Sequence, residues 1–216
     1  MPDDFDLKTR QYRTSGGRIR SRAEMRGEID KLTDHVKRNA KRLAESVHAG
    51  EITDAEFVNA MRELLKSGHI IASSVGRGGR DRMSASDWGR VGRKLRWQYK
   101  YLDKFARRIA ADTISGIASA NRSQLYASAL HISYYDSVYI DYATGERPVD
   151  EDGNEILVRL IQNSAEGCED CAADAGEGWM PVDLMAELGT RICGDYCKCD
   201  LEFSDVGIAE PIPIED

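Results

Sequence analysis

A chain of 216 residues is long enough to bury a core without disulfide staples, as one large domain or two small ones. Its 41% hydrophobic and 31% charged residues, with five prolines, exclude a fibrous or disordered chain, and no stretch approaches the ~18 to 20 apolar residues that span a bilayer. The net charge of −7 is unevenly divided: residues 1–110 hold 25 Lys+Arg against 15 Asp+Glu, a balance of +10, whereas residues 111–216 hold 5 against 22, a balance of −17.

Such a dipolar chain suggests a basic half facing an acidic partner, either nucleic acid or an acidic protein surface, and a C-terminal half that avoids nucleic acid. The alternative is that long amphipathic helices carry solvated basic faces. The start, Met1-Pro2-Asp3-Asp4-Phe5-Asp6, is acidic where a signal peptide is basic and then apolar, so a soluble product of the cytoplasm is expected.

Residues 1–16 read as a flexible arm ending at Ser15-Gly16-Gly17. Met25, Ile29, Leu32, Val36, Ala40, Leu43 and Val47 recur at helical steps, and Gly50 closes that helix. Thr53 to Glu56 is a capping box, and the next helix presents Phe57, Met61, Leu64, Leu65 and Ile71. Val75-Gly76-Arg77-Gly78-Gly79-Arg80 fits no phosphate-cradling spacing and reads as a mobile basic linker. From Ser86 a third helix carries Val91, Leu95, Gln98, Leu102, Phe105 and Ile109 on one face.

Around that face lie Trp88, Trp97, Tyr99 and Tyr101, interleaved with Arg90, Arg93, Lys94, Arg96, Lys100, Lys104, Arg107 and Arg108. This is a candidate contact for a partner or for nucleic acid, since aromatic rings beside cations can stack on bases. The rings also serve as core anchors beneath a solvated charged face. A fourth helix is expected from Ser115 to Tyr135, with Ala118, Leu125, Ala129 and Ile132 inward. Val138-Tyr139-Ile140-Asp141-Tyr142 and Ile156 to Ile161 then alternate with period two about a turn at Asp152-Gly153-Asn154, which predicts a hairpin.

All five cysteines lie between residues 168 and 199, as Cys168-x2-Cys171 and Cys193-x3-Cys197-x-Cys199. Two thiolates two residues apart can wrap one ion from a single knuckle, and a second cluster about twenty residues on completes a tetrahedron. Four ligands are needed from five cysteines: spacing favours Cys168, Cys171 and Cys193 and does not choose between Cys197 and Cys199. An all-thiolate shell leaves no open position, so the expected Zn2+ is structural. Disulfide bonding competes, but the odd count leaves a thiol over and Cys-x2-Cys is a poor bridge outside redox motifs. A thioredoxin-like site lacks its βαβ surroundings, and Glu166, Glu169 and Asp170 disfavour a reactive thiolate. The segment between the clusters has room for a short helix, Val182 to Leu188.

No catalytic constellation is legible, so the chain is not expected to be an enzyme. His35, His48, His69 and His131 are scattered on helices, without the spacing of a zincin or a cytidine deaminase. His35 and His48 read as surface residues, and Asp150-Glu151-Asp152 as a solvated turn.

The run from Arg159 to Cys171, with Trp179-Met180-Pro181 and Cys193-Gly194-Asp195-Tyr196-Cys197-Lys198-Cys199-Asp200-Leu201-Glu202-Phe203, resembles the tail of tailed-phage head-morphogenesis proteins. These are the minor head proteins related to the phage Mu F protein, whose C-terminal segment pairs a Cys-x2-Cys with a later Cys-Arg-Cys before a last strand. Lys198 stands where that arginine usually does, and Cys193 where many members offer a histidine. Trp97, Tyr99, Tyr101, Leu102 and Phe105, then Arg122, Leu125 and Tyr126, are similar to the helical stretch of such proteins. The likeness spans about 45 residues closely and the helices loosely.

The resemblance implies a virion component of the phage head, present in few copies, that contacts portal or inner capsid, with a homo-oligomer in the virion as an option and a basic half able to lie against an acidic portal or packaged DNA. The expected fold is mainly α: a flexible arm (1–16), an extended helical body of about four helices (17–136), a small α+β zinc-binding module with a β-hairpin (137–205) and a tail (206–216). The alternative function is a zinc-containing nucleic-acid-binding regulator using the basic helices. A third is an enzyme acting on phage or host polymers.

Overall fold

The computed structural model describes residues 4–6, 11–143, 149, 152–162, 168–186, 188 and 199–204. It is mainly helical with two small sheets, and the chain divides into two compact units, residues 28–137 and residues 1–27 with 138–216.

The first unit is a helical body. It takes in most of α1 (Arg22–His48), then α2 (Asp54–Gly76), α3 (Ala85–Ala110), α4 (Gly116–Gln124) and the start of α5 (Leu130–Ala143). Helix starts are written locally. Ser21 and Glu24, Thr53 and Glu56, and Ser84 and Asp87 each exchange side-chain and backbone hydrogen bonds across three residues, satisfying amides that the first turn leaves open. Arg18 and the Ser21 amide hold the Glu24 carboxyl down to about 2. Gly50 ends the turn after α1 at φ +72°, where a side chain would be strained.

Apolar residues at helical spacing then fill the interior. Phe57, Met61 and Leu65 of α2 and Leu102 and Phe105 of α3 are fully buried, each contributing about 1.5 to 3 kcal/mol of transfer free energy. Phe57 and Phe105 meet edge to face at 6.0 Å. At the margin Arg62 reaches Asp103 at 2.7 Å, and the Tyr99 hydroxyl donates to the Arg62 carbonyl.

Three expectations for these helices and their connections are corrected. The basic linker is held at both ends: Arg80–Arg82 forms a 3-10 turn, the Arg77 Nε donates to buried Asp87 at 3.1 Å, and Arg80 lies 5.5 Å over the Trp88 ring. The fourth helix is divided into α4, a 3-10 turn over Leu125–Ala129, and α5. Leu125 is 69% exposed and Ala118 is also exposed, and the inward face is instead made by Ser119, Ala120, Ser123 and Ala127. Finally, Val138 to Tyr142 is the end of α5 and not a strand. Residues 132–138 are all buried, so no polar face marks the helical period, and the aromatic alternation imitates a strand.

The second unit contains both sheets. Where a free arm is expected, β1 (Asp4–Asp6) pairs antiparallel with β2 (Gln11–Arg13), Phe5 facing Tyr12 with ring centroids 5.1 Å apart. The other sheet has the order β4-β3-β5, with β3 (Leu157–Ile161) central between β4 (Met180–Pro181) and β5 (Asp200–Phe203), both antiparallel to it. The predicted second arm of the hairpin is therefore β3, but its partners come from later in the chain. Alternate residues of β3 point inward, and Val158 and Leu160 are buried, as are Leu201, Phe203, Val182 and Met185. The helix in this region is α6 (Glu169–Gly176); of the helix expected from Val182, only a 3-10 turn over Val182–Leu184 forms.

Candidate functional site

The cysteine region is built on the three-stranded sheet. β3 and β5 run antiparallel with Ile161 opposite Asp200, so Cys199 adjoins the end of the sheet from which the chain leaves β3 toward Cys168. Cys168 occupies the N-cap of α6 and its carbonyl accepts from the Ala172 amide at 3.0 Å. Cys171 lies in the first turn, fully buried, and Cys199 is 6% exposed. A helix start favours negative charge, which suits thiolate donors. α6 packs against β3, so both stretches are tied to one scaffold.

Neighbouring polar groups lock that scaffold. Arg26 reaches the buried Asp200 carboxylate at 2.6 Å. Across the sheet Arg159 pairs with Glu202 at 2.6 Å, in register, and lies 4.6 Å over the Trp179 ring. Ser204 closes the strand pair, its amide donating to the Leu157 carbonyl and its hydroxyl accepting from the Leu157 amide.

Cys193 and Cys197 lie outside the described residues, as do Asp150 and Glu151. Among the described residues, no three His, Cys, Asp or Glu side chains form a group that could hold a metal ion. The donor chemistry of five cysteines fits a thiolate-bound zinc.

The basic residues of α3 separate into two sets. Arg90 and Lys94 turn toward acids: Arg90 lies 3.5 Å from Asp87, and Lys94 pairs with the buried Asp136. Arg93, Arg96, Lys100, Lys104, Arg107 and Arg108 are exposed. Trp97 and Tyr101 border them, half-buried, with centroids 4.4 Å apart, and Lys104 lies 5.6 Å from the Tyr101 centroid.

A polar relay inside the helical body was not expected. His69 is wholly buried, its Nδ1 2.6 Å from the Ser133 hydroxyl and its Nε2 3.1 Å from the Gln98 Oε1; the Gln98 Nε2 donates to the Tyr126 carbonyl. Burial drives the imidazole pKa down to about 4, opposed by the bond to Gln98 and assisted by nearby Lys94. Ser133 and Gln98 are also buried, so the trio serves the packing of α2, α3 and α5. The signal was present: His69 lies on the Leu65–Ala72 apolar stripe. His48 is half-buried against the Ser119 hydroxyl at 2.9 Å, while His35 is exposed as expected.

No family model, curated protein or solved structure matches the chain. Among the described residues, no helix is long and apolar enough to cross a membrane.

Proposed function

We propose that this chain acts by binding, as a minor head protein of the tailed-phage head-morphogenesis kind, located in the virion head and docking on portal or inner capsid. Its C-terminal cysteines hold a structural Zn2+. The observation that supports this reading is the pairing of β3 with β5, which brings the approaches to both cysteine stretches to one end of a sheet. Cys168 and Cys171 would supply one pair of thiolates, and the second pair would come from Cys193, Cys197 and Cys199. A closed thiolate shell supplies folding free energy and no reactive coordination position.

Two measurements test it. Elemental analysis of the purified chain is expected to give one zinc per chain, lost in Cys171→Ser; a metal-free chain with an intact tail overturns the metal assignment. The docking role is tested by co-expression with the portal and capsid proteins of the same replicon. Stoichiometric co-purification that survives 0.5 M salt is expected, and its absence with both partners overturns the head-protein reading.

A further inference from the structure

Beyond that reading, and on different residues, we infer that the solvent face of α3 is a surface for the phosphate backbone of duplex nucleic acid, read without regard to sequence.

At 100° per residue, the core face of α3 is centred on Val91, Leu95, Gln98, Leu102, Phe105 and Ile109, all buried. Directly opposite, Arg93, Arg96, Lys100, Lys104 and Arg107 fall within an arc of about 80° and form one stripe about 21 Å long. Asp103 is the one carboxylate bordering this stripe on α3, and it is taken by Arg62 at 2.7 Å. Over the whole helix eight cations stand against two acids, and the other acid, Asp87, is buried.

The contrast with the neighbouring helices gives the stripe its meaning. The exposed faces of α1 and α2 include like-charge neighbours such as Arg38 and Arg42, but they intersperse cations with short-range pairs, Lys31 with Glu28, Lys37 with Asp34, Lys41 with Glu45 and Lys66 with Glu63. Such pairs stabilise a helix by about 0.2 to 0.5 kcal/mol each, and like charges at the same spacing oppose it by similar amounts. The α3 stripe has a single bordering carboxylate, already taken by Arg62, to offset its row of like charges, and a polyanion relieves that repulsion.

Three details favour duplex nucleic acid over other anions. Arginine and lysine at steps of one helical turn suit a continuous row of phosphates. No Asn or Gln is on the stripe to read adenine edges, because Gln98 is turned into the core, and the cations are left for phosphates. The flanking rings are engaged with one another and with Lys104, which leaves them poor platforms for unstacked bases.

The test is binding of the full chain to a random-sequence 30-base-pair duplex, followed by fluorescence anisotropy over 50 to 200 mM salt. Five phosphate contacts predict a log–log slope of about −4.5 and a loss of roughly 500-fold across that range. The variant with Arg93, Arg96, Lys100 and Lys104 all changed to Gln should lose at least ~100-fold at low salt. Arg96→Gln with Lys100→Gln alone should flatten the slope by about 2. Charge-matched changes at Lys31, Lys41 and Lys66 should leave binding unaltered, and circular dichroism checks that each variant keeps its helices. Absence of binding at 50 mM salt, an unchanged slope in the double variant, or tenfold tighter binding to a single strand overturns the inference. So does equal binding to poly-glutamate of matched charge, which would identify an acidic protein as the partner.

Discussion

His69 carries the clearest pH consequence in the molecule. Its folded pKa, lowered to about 4 by burial, lies below the ordinary ~6.5 of an unfolded histidine, so the unfolded chain binds the extra proton between those values. Stability from this group is complete above pH ~6.5 and is lost as pH falls through about 4, on the order of 3 kcal/mol in all. Urea unfolding midpoints should drop steeply over that window, and His69→Gln, which retains a donor and an acceptor, should flatten the drop. Asp87 carries the clearest consequence of substitution, since its buried carboxylate accepts from Arg77, the Ser84 amide and the Ser84 hydroxyl. Asp87→Ala takes the buried carboxylate away from Arg77 and opens the α3 cap, with an expected cost of about 3 kcal/mol in equilibrium unfolding. The sequence gives away Thr53 and Glu56 by their spacing, and Ser21-x2-Glu24 and Ser84-x2-Asp87 have that same spacing. The His69 partners are not legible that way, because Gln98 and Ser133 are 29 and 64 residues distant and only the tertiary fold brings them together.

Among the helices, the long ones are readable because one face is buried and the other wet. That condition holds for α1, α2 and α3 and fails for α5, whose buried surroundings erase the period. Close approach between helices is recorded by Gly68 of α2: a Cβ there would stand 3.1 Å from the Leu130 side chain and 3.4 Å from Val36. Gly68→Ala gains about 1 kcal/mol of helix propensity but overpacks a site where Leu130 is fully buried. The net outcome expected is destabilisation by about 1 kcal/mol, measurable by thermal or chemical unfolding; stabilisation would mean that Leu130 shifts freely. The sheet was only partly foreseeable. β3 announces itself by alternation, while its partners β4 and β5 are short and lie beyond the first cysteine pair, so pairing at that range leaves no local mark.

For the molecule as a whole, no sequence pattern indicated that the first residues join the C-terminal sheet in one compact unit. If zinc supports that unit, a chelator should lower one calorimetric transition and leave the one belonging to residues 28–137 where it was; a shift of both would mean that the units unfold together. The ion pair between Arg26 and Asp200 joins positions 174 residues apart. A nascent chain leaving the ribosome therefore exposes the β1–β2 segment long before its companions exist, while the helices between can already fold. Synthesis order makes the helical body an early product and the sheet-bearing unit a late one, completed only after the last strand has emerged.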